Sequence, residues 1–264
     1  MNREKSLNGT LSAYDLWAAE EFSCIEEKLE QVFVDVETDC PYGLPQQAVF
    51  HQAFFAPLEE HVVGLFLAAG YRRNGNCLYT MRCPHCTACQ PIRLQVEQFS
   101  PSRSQKRNRK KNDDIAASFL PLVRSQEHLD LCDRFLQNRY PSDNSAERYY
   151  ADFFENGLTH TEQLEFRQGG RLLGNAIVDH GEHWLNAVYF FFDPEESGRG
   201  LGTYNVLRLI DFCRERGIIY LYLGFYIRDV QAMNYKDTFR PYQLLEDGVW
   251  CSYSGASSRD LSRK

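Results

Sequence analysis

The sequence predicts an α/β protein of the α+β kind, in which helices cover a mixed β-sheet. Two observations lead to this class. In the second half of the chain, three strand-like runs are followed by a glycine-rich loop, one long helical pattern and another apolar run. In addition, 43% of the 264 residues are hydrophobic, which is enough for a large buried core and argues against extensive disorder.

The predicted elements of the second half follow from local patterns between residues 123 and 251. Gly169 and Gly170 form a hairpin signal between two strands, and a turn at Tyr140–Asp143 separates two helices. In chain order we expect helices His128–Arg139 and Ala146–Phe154, strands Gln163–Arg167, Arg171–Val178 and His183–Phe192, helix Thr203–Arg216 and strand Ile218–Gly224.

The first 122 residues are expected to form a smaller, cysteine-bearing region, with a soft boundary near residues 121–125. A helix is predicted over Leu58–Ala69, because glycine at the following position is a common helix end. Strands Leu78–Met81 and Ile92–Val96 are predicted on either side of a cysteine triplet. Residues 252–264 are polar and are expected to form a flexible tail.

The order of elements in the second half is typical of acyltransferase cores of the N-acetyltransferase (GNAT) type. In such cores a loop before a helix offers backbone N–H groups to an anionic ligand. The sequence GRGLGT at Gly198–Thr203 is similar to that loop, and Arg199 and Gly202 fit its pattern. Tyr204 occupies the last small position, where we expect its ring to crowd a pyrophosphate. An ordinary glycine-rich turn before a helix is the alternative.

Charge and composition limit the classes of function. The chain carries a formal net charge of −7, and none of its apolar runs approaches the roughly 20 residues that span a bilayer. The first residues lack the apolar core of a signal peptide, so we expect a cytoplasmic protein without a membrane partner. The nine cysteines therefore indicate free thiols or a metal site rather than a disulfide framework.

Three of those cysteines recur at every third position, at Cys83, Cys86 and Cys89. This spacing brings three soft ligands within reach of one ion, and a structural zinc or an iron–sulfur cluster takes four. Cys40 is the best candidate for the fourth ligand, and His85 is the next. The alternative is that these residues are packed thiols without a metal.

A dense basic run follows the cysteines. Six of the nine residues from Arg103 to Lys111 are Arg or Lys, and Ser100–Ser102 before them is a plausible helix start. Arg72, Arg73 and Arg93 lie nearby in sequence. A local positive patch on an acidic protein favours a phosphate backbone as partner, although a solvated surface is the simpler alternative.

A third group of polar and aromatic residues lies between Tyr222 and Pro241. Tyr235 and Lys236 can orient a carbonyl or an amine, and Arg240 can pair with a carboxylate. Glu165 and Asp193 are alternative proton-handling residues, although strand-end carboxylates more often pair with arginine. The alternative for the whole group is an ordinary aromatic core with surface cations.

In combination these residues resemble the arginyl-tRNA–protein transferase superfamily, and most closely its bacterial branch, the aspartate/glutamate leucyltransferases. The resemblance covers nearly the whole chain. It depends on seven blocks in fixed order: GYRRNG from Gly70, CPHCTACQPIR from Cys83, FSPSRSQKR from Phe99, LEFRQGGRLLG from Leu164, AVYFFFDPE from Ala187, LGTY from Leu201 and MNYKDTFRP from Met233. One departure is Val230, which stands about where this family often has a cysteine.

The resemblance implies transfer of leucine from leucyl-tRNA to the N-terminal amine of proteins that begin with Asp or Glu, which marks them for degradation by the N-end rule. No cofactor is required for this chemistry, and no DNA partner is expected. The residues implied are Tyr235 and Lys236 as catalytic groups, Arg240, Arg228, Gly202, Thr203 and Tyr204 for substrate, Arg72, Arg73, Arg103, Lys106, Arg107, Arg109, Lys110 and Lys111 for tRNA, and Cys40, Cys83, Cys86 and Cys89 for a metal.

Three other hypotheses about the function stay open at this point. The donor can be arginyl-tRNA, since the two branches share much of this pattern. The protein can be an N-acetyltransferase that uses acetyl-CoA, although Tyr204 and the basic run argue against it. It can also be an RNA-binding module on an inactive acyltransferase fold, which predicts salt-sensitive RNA binding without turnover.

Overall fold

The computed structural model describes residues 12–139 and 145–255, which form two β-sheets with helices packed against them. The smaller sheet is antiparallel, with the strand order β1-β2-β4-β3. Its strands are β1 (Val34–Asp39), β2 (Gln47–Phe54), β3 (Arg72–Asn74) and β4 (Cys77–Met81), and two helices accompany it, α1 (Ala13–Leu29) and α2 (Glu60–Ala68).

The larger sheet has eight strands in the order β12-β11-β5-β10-β9-β8-β7-β6. They are β5 (Gln90–Gln95), β6 (Ala116–Pro121), β7 (Thr161–Gln168), β8 (Arg171–His180), β9 (Trp184–Phe192), β10 (Tyr220–Tyr226), β11 (Tyr242–Glu246) and β12 (Val249–Tyr253). Neighbouring strands are antiparallel except β9 and β10, which run parallel. A parallel pair needs a long crossover, and here helix α6 (Leu201–Arg216) supplies it.

Both faces of the larger sheet are buried, because successive residues of a strand point to opposite sides. In β8, Ala176 and Val178 pack in the core beneath α6, whereas Ile177 packs with helix α4 (Gln126–Arg139) on the opposite face. Helix α5 (Ala146–Tyr149) continues into one wider turn over Tyr150–Phe154 and joins that second cluster. The sheet therefore lies between two helical layers.

The fold class and most predicted elements are confirmed. The GNAT-like order of antiparallel strands, loop, helix and parallel strand is present, and so are both helices and all three strands predicted between His128 and Phe192. The sequence analysis did not predict β1, β2 or β3 of the smaller sheet, nor β6, β11 or β12 of the larger one. The turn at Tyr140–Asp143 lies outside the described residues.

The division at residue 122 does not match the division between the two sheets. Strand β5 comes from the first 122 residues and yet lies between β11 and β10 in the larger sheet, and β6 forms the opposite edge of that sheet. Strand β12 continues to Tyr253, so the residues predicted to be a tail begin within a strand, and residues 256–264 lie outside the described part. Among the described helices, none has the length and apolar character to cross a bilayer.

Candidate active-site cleft

The cleft opens where the two parallel strands separate. Strand β10 pairs with β9 only from Tyr220 to Tyr222, opposite Trp184 to Asn186. Past Tyr222 the ladder between β10 and β5 is also irregular, and Gly224 has a φ of +79°, a backbone conformation that favours glycine. The backbone of β10 therefore turns away from β9 at this point, which leaves a gap in the middle of the sheet.

The gap opens into a cleft of about 610 Å³. Its walls come from the diverging strands β9 and β10, the start of α6, the short helix α7 (Gln231–Asn234) with the turn after it, and parts of the smaller sheet. The polar lining residues on which the argument depends are Tyr42, Arg72, Tyr79, Arg139, Thr203, Tyr235 and Lys236. A cleft of this size has room for a small acyl donor together with the end of a peptide.

The start of α6 lies at one side of the cleft. Gly200 is the N-cap, with a φ of +67°, and Gly202 and Thr203, which were predicted to bind substrate, line the cleft. Tyr204 does not, because it is only 5% exposed and its ring packs 5.7 Å from the ring of Phe166 in the core. The prediction that Tyr204 contacts substrate, or crowds a pyrophosphate, is therefore wrong.

Lys236 is the cation at the floor of the cleft. It is 8% exposed, and its Nζ donates a hydrogen bond of 2.6 Å to the carbonyl of Phe225 and lies 3.6 Å from the sulfur of Met233. Burial, together with the positive charge of Arg72, lowers the pKa of Lys236 to about 7. An amine with this pKa exists in both protonation states near neutral pH, a property common in catalytic lysines. Tyr235 lines the cleft beside it.

Arg72 is a second buried cation in the same wall. Its guanidinium donates to the carbonyls of Tyr71 and Gly224, at 2.5 and 3.0 Å, and it lies over the ring of Phe225 at 5.4 Å. Its Nε is buried without an acceptor among the described residues. Burial lowers the pKa of Arg72 to about 10. It is 4% exposed and lines the cleft, so it lies away from the open surface on which a contact with the tRNA backbone was predicted.

Two further arginines, which the sequence analysis placed near the phosphate backbone of a partner, have structural roles. The side chain of Arg73 is 1% exposed, and its Nε and one terminal nitrogen donate to Asp179 at 2.7 and 2.8 Å. Arg93 is fully buried, pairs with Asp15 at 2.7 Å, and lies between the rings of Tyr220 and Trp250. Their burial is at odds with the phosphate contacts predicted for this group, because each guanidinium already has a carboxylate partner.

The arginines predicted to recognise the acidic acceptor do not line the cleft. Arg240 donates from Nε to the carbonyl of Asp237 at 3.0 Å, and the carbonyl of Arg228 accepts from Asn234 at 2.8 Å. Neither side chain belongs to the lining, whereas Arg72 and Arg139 do. The order of residues along this segment did not reveal which cations turn towards the cleft.

The basic run forms helix α3 (Arg103–Lys111), as predicted. Ser102 and Gln105 form a capping box at its N-terminus, which explains why the helix begins there. The helix contacts the loop before α6: Asn108 donates to the carbonyls of Arg199 and Gly200, and Lys111 donates to that of Gly198 at 2.6 Å. Helix α3 therefore lies beside the edge of the cleft.

Of the six cations of α3, Lys111 is held by the carbonyl of Gly198, and the other five fall into two sets. Arg109 is half-buried and pairs with Asp211 at 2.7 Å, so it helps to attach α3 to α6. The other set is exposed, has no ion-pair partner among the described residues, and follows the three- and four-residue spacing of one helix face: Arg103, Lys106, Arg107 and Lys110. We call this set the basic face of α3.

The four predicted metal-ligand cysteines lie close together. Burial raises the pKa of Cys89 to about 12, and the charges of Cys83, Cys40 and Cys86 add to this effect. Four soft thiols in one place fit a zinc ion or an iron–sulfur cluster. Among the described residues, however, three His, Cys, Asp or Glu side chains have ligand atoms within 4.8 Å of one another only at His160, Glu162 and His180. In any three of the four sulfurs, at least one pair is therefore more than 4.8 Å apart, compared with roughly 3.8 Å between the sulfurs of a tetrahedral zinc site.

Comparison with known proteins identifies the family. The model for the N-terminus of arginine-tRNA–protein transferase matches residues 38–107, and the model for its C-terminus matches residues 127–246. The chain belongs to the arginine-tRNA–protein transferase family. Proteins called aspartate/glutamate leucyltransferase from three bacteria are similar over most of its length. The protein of Nitrosococcus oceani is 42% identical over 69% of this chain and 78% of its own length.

The two other relatives are more distant but cover more of the chain. The protein of Stenotrophomonas maltophilia is 33% identical over 80% of this chain and 88% of its own, and that of Thiobacillus denitrificans is 35% identical over 83% and 93%. Among solved structures, FemX is 8% identical, with a TM-score of 0.47 over 99% of this chain and 95% of its own. The matches to the aspartate/glutamate leucyltransferases show that the chain is an aminoacyltransferase of this family.

Glu165 and Asp193, which the sequence analysis named as alternative proton-handling residues, have structural roles in this transferase. Glu165 accepts from His128 at 2.8 Å and from Arg167 at 2.5 Å. Asp193 caps the turn before α6 through the N–H of Glu195. Both are engaged by neighbouring groups, as the alternative interpretation predicted, and neither lines the cleft.

If the cysteine cluster binds a metal, removing that metal is expected to lower the melting temperature by about 5–10 °C, because a site occupied at a hundred times its Kd stabilises the fold. The measurement is thermal unfolding with and without a chelator, together with the metal content of the purified protein. Cys89→Ser should reproduce the loss, whereas Cys24→Ser, at an exposed thiol of α1, should not. An unchanged melting temperature and a metal-free preparation would leave the packed-thiol alternative.

Proposed function

We propose that this transferase moves leucine from leucyl-tRNA to the N-terminal amine of proteins that begin with Asp or Glu. The observation that supports this most directly is the combination of a cleft with two buried cations and the basic face of α3 beside it. The names of the similar bacterial proteins agree with the reaction. Such a donor is cytoplasmic, and the modification would mark acceptor proteins for degradation by the N-end rule.

The reaction exchanges an ester for an amide. The acceptor amine attacks the carbonyl carbon of the leucyl ester, a C–N bond forms, and the bond from that carbon to the ribose oxygen breaks. One proton passes from the nitrogen to the departing ribose oxygen. An α-amine has a pKa near 8, so about a tenth of it is neutral and reactive at pH 7.

Because the ester is already activated, the protein has to position the two substrates and stabilise the charge that develops on the carbonyl oxygen. We assign the second task to Lys236 in its protonated form, since it is the buried cation next to the opening between β9 and β10. Tyr235 lies in the same wall and would orient the ester, and Gly202 and Thr203 would bound the aminoacyl end. No covalent intermediate is needed.

The basic face of α3 is proposed to hold the acceptor arm of the tRNA. The helix packs on the loop that ends at Gly200. Gly202 and Thr203, which follow this loop in the first turn of α6, line the cleft. A tRNA arm on this face would have its aminoacyl end directed towards the cleft. Contacts to phosphates carry no information about the amino acid, so binding at this face would not select it.

Neutralising two cations of the basic face should weaken tRNA binding in a salt-dependent way. For Lys106→Gln/Arg107→Gln we expect the slope of log KM for leucyl-tRNA against log salt to fall by about 1.5, since each phosphate contact contributes roughly 0.7–0.9. The KM for the acceptor peptide should not change. A matched control is Lys28→Gln/Arg124→Gln, at two exposed cations elsewhere. Equal slopes in both variants would place the tRNA on another surface.

The experiment that tests the function is transfer from labelled leucyl-tRNA, and separately arginyl-tRNA, to peptides that begin with Asp, Glu, Ala or Lys. We expect label to move from leucyl-tRNA to the Asp and Glu peptides alone. Arginine transfer would keep the reaction and change the donor. Absence of transfer from either donor would favour acetyl-CoA chemistry or RNA binding without turnover.

A further inference from the structure

Two cations share one wall of the cleft without a carboxylate between them. Arg72 donates to the carbonyl of Gly224, and Lys236 donates to the carbonyl of Phe225, the next residue along β10. A methyl group placed on Gly224 would lie 3.8 Å from Nζ of Lys236, which shows how closely Lys236 approaches this bulge. No acidic residue pairs with either cation among the described residues 12–139 and 145–255.

This arrangement differs from that of the other buried arginines. Arg73 has Asp179 and Arg93 has Asp15, each at 2.7 Å, whereas Arg72 has only backbone carbonyls and aromatic rings. An unpaired buried charge is costly, so proteins rarely keep one without a use for it. The Nε of Arg72, buried and without an acceptor, is in addition a hydrogen-bond donor that lacks a partner.

The tyrosines around Arg72 do not supply the missing negative charge. Burial raises the pKa of Tyr79 to about 12, and it raises the pKa of Tyr42 and of Tyr222 as well. All three phenols are therefore neutral at physiological pH. They surround Arg72 with polar groups that can accept or donate hydrogen bonds, and the wall as a whole keeps a net positive charge.

We propose that Arg72, beside Lys236, receives the side-chain carboxylate of the acceptor's N-terminal Asp or Glu. This assignment rests on the proposed function, in which acidic N-termini are the acceptors. The carboxylate accepts hydrogen bonds from the guanidinium of Arg72, including its unpartnered Nε. The same negative charge favours the protonated form of Lys236, so an acidic acceptor also maintains the cation that stabilises the carbonyl oxygen.

A phosphate of the tRNA backbone fits this position less well. A backbone phosphate carries a sugar on both sides, whereas Arg72 is 4% exposed and is approached only from the cleft. A side-chain carboxylate is the end of a short branch and enters such a recess without bringing further groups. The exposed basic face of α3 offers phosphates a more accessible surface.

The test compares peptides that begin with Asp and with Asn, which have nearly the same shape and differ in charge. Wild-type protein should strongly prefer Asp in kcat/KM. In Arg72→Gln we expect the Asp-to-Asn ratio to fall about 10- to 100-fold, the range of a charge-assisted hydrogen bond, with the KM for leucyl-tRNA unchanged. Arg139→Gln, at an exposed arginine of the same cleft, and Arg240→Gln should keep the ratio.

An Arg72→Gln protein that keeps the Asp preference overturns the assignment while leaving leucyl transfer intact. If that protein also loses affinity for leucyl-tRNA, the anion that Arg72 binds is a tRNA phosphate. Wild-type protein that transfers no leucine to any peptide would instead refute the proposed function, and this inference with it.

Because Arg72 also holds two backbone carbonyls, a second measurement uses the unmodified protein. The ionisation of Lys236 is followed by NMR of ¹³C-labelled lysine, with Asp or Asn peptide at concentrations that saturate the transfer assay. We expect the Asp peptide to raise the pKa of Lys236 above its value in the free protein, and the Asn peptide to leave it in place. Equal pKa values with the two peptides would contradict a carboxylate next to Lys236.

Discussion

Lys236→Met is expected to lower kcat for leucine transfer by about 10²- to 10³-fold, the usual effect of removing one preorganised donor to a developing oxyanion. Lys236 lies at the floor of the cleft, and its Nζ is held by the carbonyl of Phe225. Lys236→Arg keeps a positive charge and should retain more activity than Lys236→Met. Turnover of Lys236→Met equal to that of the wild type would show that Lys236 takes no part in the chemistry.

The same residue should determine the pH profile. Oxyanion stabilisation needs protonated Lys236, which the free protein loses as pH rises through about 7, while the acceptor amine must lose its proton, with a pKa near 8. The product of these fractions rises up to pH 7, is flat between about 7 and 8, and falls above 8. In Lys236→Arg the guanidinium stays charged, so the fall of kcat/KM above pH 8 should disappear.

The loss of activity in Lys236→Met should not come from unfolding. The pKa of Lys236 is lower in the folded protein, at about 7, than the 10.5 of an exposed lysine. Its ionisation therefore opposes folding fully below pH 7, and this opposition declines as pH rises towards 10.5. We expect Lys236→Met to be at least as stable as the wild type in urea unfolding at pH 6. A marked loss of stability there would contradict the inferred burial of an unpaired charge.

Asp179→Ala is expected to destabilise the protein by about 3–5 kcal/mol, because it leaves the Arg73 guanidinium buried without its counter-charge. Asp179 accepts two hydrogen bonds from Arg73 and further ones from Thr161 and Asn186. Arg73 in turn holds the carbonyls of Gly75 and Phe153, so this network connects the smaller sheet to the residues after α5.

The measurement is urea unfolding followed by circular dichroism, with Asp211→Ala as the matched control. Asp211 pairs with Arg109 at the same distance of 2.7 Å, but the Arg109 side chain is 34% exposed, so water replaces the lost partner. We expect the control to lose less than about 1 kcal/mol. Similar losses in the two variants would mean that burial does not govern the strength of these pairs.

Local sequence signals were sufficient for much of the architecture and part of the site. The helix start at Ser100–Ser102 preceded α3, and strand-like runs with the hairpin signal at Gly169 and Gly170 indicated the strands from Gln163 to Phe192. Gly202, Thr203, Tyr235 and Lys236 were expected at the substrate and do line the cleft. These features depend on residues that are close together in the chain, where propensity, spacing and capping act directly.

Only the tertiary structure decided which cations are buried and which face a ligand. The sequence does not distinguish the three arginines Arg72, Arg73 and Arg93 from one another, and arginine is usually exposed. Arg73 and Arg93 are buried because the fold brings carboxylates from 106 and 78 positions away to meet them, at Asp179 and Asp15. Arg72 is buried without such a partner. A buried charge either forms an ion pair within the fold or is left available to bind a ligand. Which of the two occurs depends on long-range pairing, which local sequence patterns do not encode.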